Sequence, residues 1–107
     1  MATRRKLPPV HPGEHVKEFM DDFGLTMNQL AQALHVPANR ITAIVNGTRG
    51  ITGETALRLA RYFGTSAQMW MNMQSNYELE VARQTFEGLI CKEITPRGEP
   101  LALADVS

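Results

Sequence analysis

Two short helical patterns, separated only by His35, Val36 and Pro37, constrain this chain more than any other feature of it. The first, "TMNQLAQAL", opens with a capping box, Thr26 at the N-cap and Gln29 three residues later. Met27, Leu30, Ala31 and Leu34 give it one apolar stripe. In the second, "ANRITAIV", Ile41, Ile44 and Val45 recur at helical spacing, and Asn46-Gly47 supplies a stop. Pro37 suits its first turn, where a missing amide would have gone unpaired anyway. So short a connection forces the two amphipathic helices to cross steeply. That is the geometry of a helix-turn-helix, in which the first helix braces and the second projects.

The remaining sequence predicts three more helices. "PGEHVKEFMDDFG" spaces Val16, Phe19, Met20 and Phe23 along one face, with Glu14 in the first turn and Gly24 as a stop. "TGETALRLARYFG" turns Ala56, Leu59, Ala60 and Phe63 inward and sets Glu54 four residues before Arg58. "SAQMWMNMQSNYELEVARQ" starts at Ser66 and buries Met69, Trp70, Met73 and Tyr77. The expected fold is all-α, a five-helix bundle over residues 12–84. A basic, proline-containing arm (1–11) precedes it, and a tail (85–107) follows, where the helical periodicity fades. Within the tail, "LICKEI" fits a short edge strand suited to dimerisation, ahead of Pro96, Gly98 and Pro100.

The second helix of the pair has a legible outer face. At about 100° per residue, Ile41, Ile44 and Val45 define the core direction, and Asn39 and Ala43 fall almost opposite it. Thr42, Asn46 and Arg40 flank them. A merely solvated face would favour Lys and Glu. This one carries groups that suit base edges in a major groove: Asn for adenine, Thr for thymine, Ala for close approach. Arg49, in the following "NGTRG" loop, is placed to hold a phosphate together with that loop's backbone amides.

Charge at first argues against a polyanion partner, since 11 Lys/Arg balance 11 Asp/Glu. The balance is uneven along the chain. Residues 1–61 carry eight basic against five acidic residues, and residues 62–107 carry three against six, so the halves are +3 and −3. The positive share sits with the projecting helix. One cysteine, Cys91, excludes an internal disulfide and suits a reducing cytoplasm. No apolar run approaches the roughly 20 residues of a membrane helix, and "MATRRKLPPV" lacks the apolar stretch of a secretory leader. His11 and His15 share a His-x3-His spacing with no further ligands nearby, so a capping or surface role is expected rather than a metal. Cys91 has no His or acid partner in context, and no phosphate loop, acid pair or serine triad is present. No enzyme and no cofactor are expected. Met71 falls outside the Met69–Trp70–Met73 stripe, which predicts that the last helix meets a second copy of the chain.

In order and spacing, "HPGE", "IVNGTRGIT", "TALRLARYFGTS" and "WMNMQ" resemble the HigA-type antitoxins of the Xre-like helix-turn-helix class, over roughly residues 11–80. The resemblance implies a homodimer that neutralises a HigB-type mRNA endonuclease toxin and represses its own operon at a palindromic operator. It carries base readout to Ala38, Asn39, Thr42 and Ala43, and phosphate contact to Arg40 and Arg49, with Asn46 close by. In one position the chain departs from the pattern: Met27 stands where the class commonly has a phosphate-binding glutamine, leaving Asn28 or Gln29 to substitute. Two alternatives stand beside this reading. One is an orphan regulator without a toxin, the other a toxin-binding module with little affinity for DNA.

Overall fold

A computed structural model describes residues 8–98, which form five helices in the order α1 (Pro12–Phe23), α2 (Met27–Leu34), α3 (Ala38–Val45), α4 (Gly53–Phe63) and α5 (Ala67–Glu93). The basic run of the arm and the end of the tail lie outside the described residues. Local chemistry sets most of the helix ends. Thr26 Oγ1 accepts from the Gln29 amide at 3.1 Å while Gln29 Oε1 accepts from the Thr26 amide at 2.9 Å, completing the capping box. Thr52 and Ser66 cap α4 and α5 in the same way, through the Thr55 and Met69 amides. Gly24 and Gly64 end α1 and α4 at φ 67° and 77°, the left-handed conformation that glycine adopts without strain.

The core gathers Val16 and Met20 from α1, Leu30, Ala31 and Leu34 from α2, and Ile41 and Ile44 from α3. Ile51, Ala56, Leu59 and Trp70 close it. Trp70 is fully buried, and its indole N–H donates to Thr65 Oγ1 at 2.7 Å, so its polar atom is satisfied as well. Phe19 packs on both Phe63 and Trp70. Phe23, expected inside, is 57% exposed, its ring meeting that of Phe63 edge-on.

α3 is the element least able to stand alone. It has eight residues, its N-cap is Pro37, and it receives no side-chain cap. Helices this short are marginal in water by themselves. Its position therefore comes from Ile41 and Ile44, both 1% exposed, each contributing about 1.5–3 kcal/mol by burial. Pro37 ends up one position earlier than expected, as cap rather than first-turn residue.

The tail differs from expectation. Leu89–Glu93 are the last turns of α5, and no strand is formed among the described residues. Ile94 caps the helix, its amide donating to the Ile90 carbonyl at 2.8 Å. The physical reason is spacing: Phe86, Leu89, Ile90 and Ile94 recur every three to four residues, not every two. α5 therefore runs past Thr85 without a break and overhangs the bundle. At 1.5 Å per residue its 27 residues span about 40 Å, the main reason the molecule measures 53 × 26 × 25 Å.

Candidate nucleic-acid interface

The turn between α2 and α3 is closed by backbone alone. His35 adopts φ 59°, its amide and that of Val36 returning to the Gln32 and Ala31 carbonyls. Pro37 then directs the chain into α3 at ψ 145°. The result is a tight turn that leads from α2 straight into α3.

Along α3 the expected division of faces is present. Ala38, Asn39 and Asn46 are exposed, Thr42 and Ala43 half-buried, and Ile41 and Ile44 buried. Asn39 offers a carboxamide that is unpaired among the described residues, with donor and acceptor both available. Thr42 is partly committed. Its hydroxyl lies 3.2 Å from the Ala38 carbonyl and 3.4 Å from Met27 Sδ. Met27 thus fills its departing position with a structural contact, joining the start of α2 to the middle of α3. Beside it, Asn28 is exposed, whereas the Gln29 carbonyl oxygen is taken by the capping box.

The two arginines separate. Arg49 lies exposed in the loop after α3. Arg40 folds back: its side chain is 20% exposed, with Nη1 3.6 Å from Glu54 Oε1 and Nε buried without a partner. Glu54 is also bound by Arg58 at 2.8 Å. Hydrogen bonding and charge from Arg58, then the charge of Arg40, hold the Glu54 carboxyl below its ordinary range. Arg58 continues to the Leu34 carbonyl at 2.9 Å, so a charged ladder fastens α4 to the end of α2 and the side of α3. The loop amides differ from expectation too. Those of Gly47, Thr48 and Arg49 return to the Ile44 and Ala43 carbonyls and are not free for a phosphate. The carbonyls at the end of α3, which have no partner within the helix, take up these donors.

Three supporting residues stand outside the predicted DNA contacts. His11, expected at the end of the arm in a capping or surface role, is the buried N-cap of α1: Nδ1 accepts from the Gly13 amide at 2.9 Å, and its ring meets Tyr77 edge-on at 4.8 Å. Gly13 sits so close to the end of α3 that an added Cβ would collide with the Ile44 carbonyl. Gln74, 6% exposed, accepts from the Ile51 amide at 2.7 Å and donates to Glu78 at 2.8 Å, pinning the loop beyond α3 to α5. The motifs "HPGE" and "WMNMQ" contain these residues, but only the packing reveals that both reach the end of α3 and the loop beyond it.

Burial lowers the His11 pKa from its ordinary value, against the opposing effects of Glu14 and a backbone hydrogen bond with Arg49. A histidine whose folded pKa is depressed binds fewer protons than the unfolded chain, so stability rises with pH across that window. Thermal stability is expected to be full above about pH 6.5 and to decline as the pH falls below it. His11→Asn, which keeps a capping acceptor, should flatten that decline; an unchanged pH profile of the melting temperature would remove His11 as its source.

Other predicted residues lie elsewhere. Met69, Trp70, Met71, Met73 and Tyr77 are on α5; Trp70 is core, and the three methionines are half-buried against that core. His15 pairs with Glu18 at 3.3 Å, and no group of three or more His, Cys, Asp or Glu able to hold a metal occurs among the described residues. Cys91 is exposed on the overhang. No described helix is long and apolar enough to cross a membrane.

A braced, outward helix with an unpaired carboxamide, reached through a tight turn, defines a helix-turn-helix module. A family model described as helix-turn-helix matches residues 16–70. Virulence-associated protein I of Dichelobacter nodosus is 50% identical over 84 residues, 78% of each chain. Antitoxin HigA-1 of Vibrio cholerae is 33% identical over 86 residues, 79% of each chain. Among solved structures, the antitoxin HigA of Pseudomonas aeruginosa, described with the higBA promoter, is 45% identical. That match covers 84% of this chain and 99% of that one at a TM-score of 0.82. The chain belongs to the helix-turn-helix family, on its HigA antitoxin branch.

Proposed function

We propose that this protein is a cytoplasmic antitoxin and autorepressor. As a homodimer it binds a palindromic operator in its own promoter, and it neutralises a HigB-type toxin. The observation that carries the reading is the outer face of α3: Asn39 free, Thr42 and Ala43 beside it, and Ile41 and Ile44 locked beneath. Support comes from the Pseudomonas aeruginosa relative, an antitoxin whose structure is described with promoter DNA.

The mechanism divides labour. Asn39 and Thr42 read base edges, with Ala38 and Ala43 admitting the groove wall closely. Arg49, exposed beyond the helix, holds a phosphate, with Asn28, Gln29 and Asn46 as polar contacts along the backbone. Arg40 acts differently from Arg49, because its guanidinium already braces α3 against Glu54. It reaches phosphate only by leaving that pair.

Arg49→Ala is expected to weaken binding to every DNA sequence alike. The slope of log affinity against log salt should become shallower by about 0.9, the value for one lost phosphate contact. Fluorescence anisotropy over a salt series reads both quantities. The proposal as a whole is tested by titrating the chain's own promoter fragment, with and without the product of the adjoining reading frame. A specific complex, altered by a co-purifying basic toxin, supports it. Specific DNA binding with no toxin partner indicates an orphan regulator, and toxin capture without a DNA shift indicates a toxin-binding module.

A further inference from the structure

Among the described residues, Arg40 Nε is the one buried side-chain polar atom left without a hydrogen bond. Buried polar groups normally find partners, so this one points to a donor held for something else. The guanidinium can donate five hydrogen bonds, yet its one ion-pair contact is long. Nη1 stands 3.6 Å from Glu54 Oε1, beyond the ~2.9 Å usual for a charge-assisted bond. Glu54, by contrast, is well held without Arg40. Its Oε2 accepts from Arg58 Nη2 at 2.8 Å and from Nε at 3.2 Å, while Arg58 Nη1 reaches the Leu34 carbonyl by itself. The carboxylate is 60% exposed, so water can take the place of Arg40 at Oε1. Departure of Arg40 therefore leaves the α2–α4 ladder standing and strands no buried charge.

We propose that Glu54 is an intramolecular competitor for DNA phosphate, holding Arg40 in the free protein and lowering operator affinity by what Arg40 gives up on leaving it. The inference rests on the reading of α3 as the operator-binding helix. Arg40 follows Asn39 and lies on the flank of that helix, where a phosphate backbone runs once the outer face enters a groove. A phosphate offers the planar fork more acceptors than the single long contact with Glu54 does. Ion pairs open to solvent contribute little, so one phosphate contact suffices to draw Arg40 away. The pair must still be broken first, and that step is subtracted from the affinity for DNA. A plain repulsion between Glu54 and DNA would also lower affinity, but it would act without Arg40 and depend on charge alone.

The test measures affinity of the full chain for its own promoter fragment by fluorescence anisotropy. Glu54→Gln, Glu54→Asp and Arg40→Gln are compared with the parent, and both Glu54 substitutions are repeated in the Arg40→Gln background. Glu54→Gln should bind about 2- to 5-fold tighter, the range set by a partly exposed ion pair. Glu54→Asp keeps the charge but draws it back by one methylene, and it should bind tighter as well. Arg40→Gln should bind more weakly, with a salt slope shallower by about 0.9, and neither Glu54 substitution should add affinity to it. Tighter binding is not the signature of a damaged fold, and circular dichroism checks each variant. Equal gains with and without Arg40, or a gain for Glu54→Gln but none for Glu54→Asp, would make Glu54 a repulsive charge and overturn the proposal. Unchanged or weaker binding by Glu54→Gln overturns it too. If Glu54→Gln does not fold, Glu54→Asp decides alone: tighter binding supports the exchange and unchanged binding sinks it. An Arg40→Gln variant that binds as the parent does also rules the exchange out, while Asn39→Ala and Arg49→Ala still report on the α3 reading separately.

Discussion

Gly13→Ala is expected to destabilise the domain strongly, although alanine is the better helix former. At an open helical position that exchange gains stability, up to about 1 kcal/mol. At Gly13 the added methyl meets the carbonyl of Ile44, which is backbone and has no rotamer by which to yield. Relief requires the start of α1 to move away from the end of α3. That motion also disturbs the His11 cap and the packing of Val16, 1% exposed, one turn on. Overpacking of this kind costs about 1–3 kcal/mol and occasionally more, and here the upper end is expected because the obstacle is rigid. In a domain of this size each kcal/mol moves the midpoint by roughly 4–8 °C, so a fall of more than about 10 °C is anticipated by scanning calorimetry. Gly53→Ala is the matched control, since a Cβ at Gly53, in the first turn of α4, meets nothing within 4 Å. That variant should be neutral or slightly more stable. Equal melting temperatures for the two variants would show that α1 and α3 do not approach as closely as described.

Because Gly13 touches the end of α3, its substitution should also weaken DNA binding out of proportion to the lost stability. The closing carbonyls of α3 set where Asn46 and Arg49 lie. Measuring affinity at a temperature where the variant remains folded separates the two effects.

These two glycines show what sequence can and cannot convey. Caps and stops were legible because each is a local matter: Thr26 with Gln29, Ser66 with the amide of Met69, and Gly24 and Gly64 in left-handed turns all act within a few residues. The inward face of α3 was legible for the same reason, since 3.6-residue spacing alone separates Ile41 and Ile44 from Asn39. Residues that act across the bundle were not. Gln74 bonds the Ile51 amide 23 positions away, and Arg40 meets Glu54 across two helices; nothing in the flanking residues announces either contact. The end of α5 was misread for a third reason. Its periodicity does not fade after Thr85 but rotates to the opposite face, so a single stripe followed from Trp70 loses the signal although the helix continues.

Asn39→Ala is expected to produce the largest selective loss of operator binding. The carboxamide is the one group within the first turns of α3's outer face that combines exposure, a donor and an acceptor with no competing partner among the described residues; Asn46 offers the same groups only at the far end, as the C-cap. Thr42 has its hydroxyl proton shared between Ala38 and Met27, and Ala38 and Ala43 offer no hydrogen bonds. A bidentate contact from such a carboxamide to one base contributes about 1–3 kcal/mol of discrimination, equivalent to roughly 5- to 150-fold in affinity. The loss should fall on the specific sequence alone. Affinity for unrelated DNA, and the salt slope, should stay as they were, since no phosphate contact is removed. Arg49→Ala should show the converse pattern, so the pair forms an internal cross-check on grip and readout. Stability offers no confounding explanation, because Asn39 is exposed and alanine favours a helix. Should Asn39→Ala bind operator and unrelated DNA as the parent does, α3 is not the reading helix, and the geometry of the turn serves bracing alone.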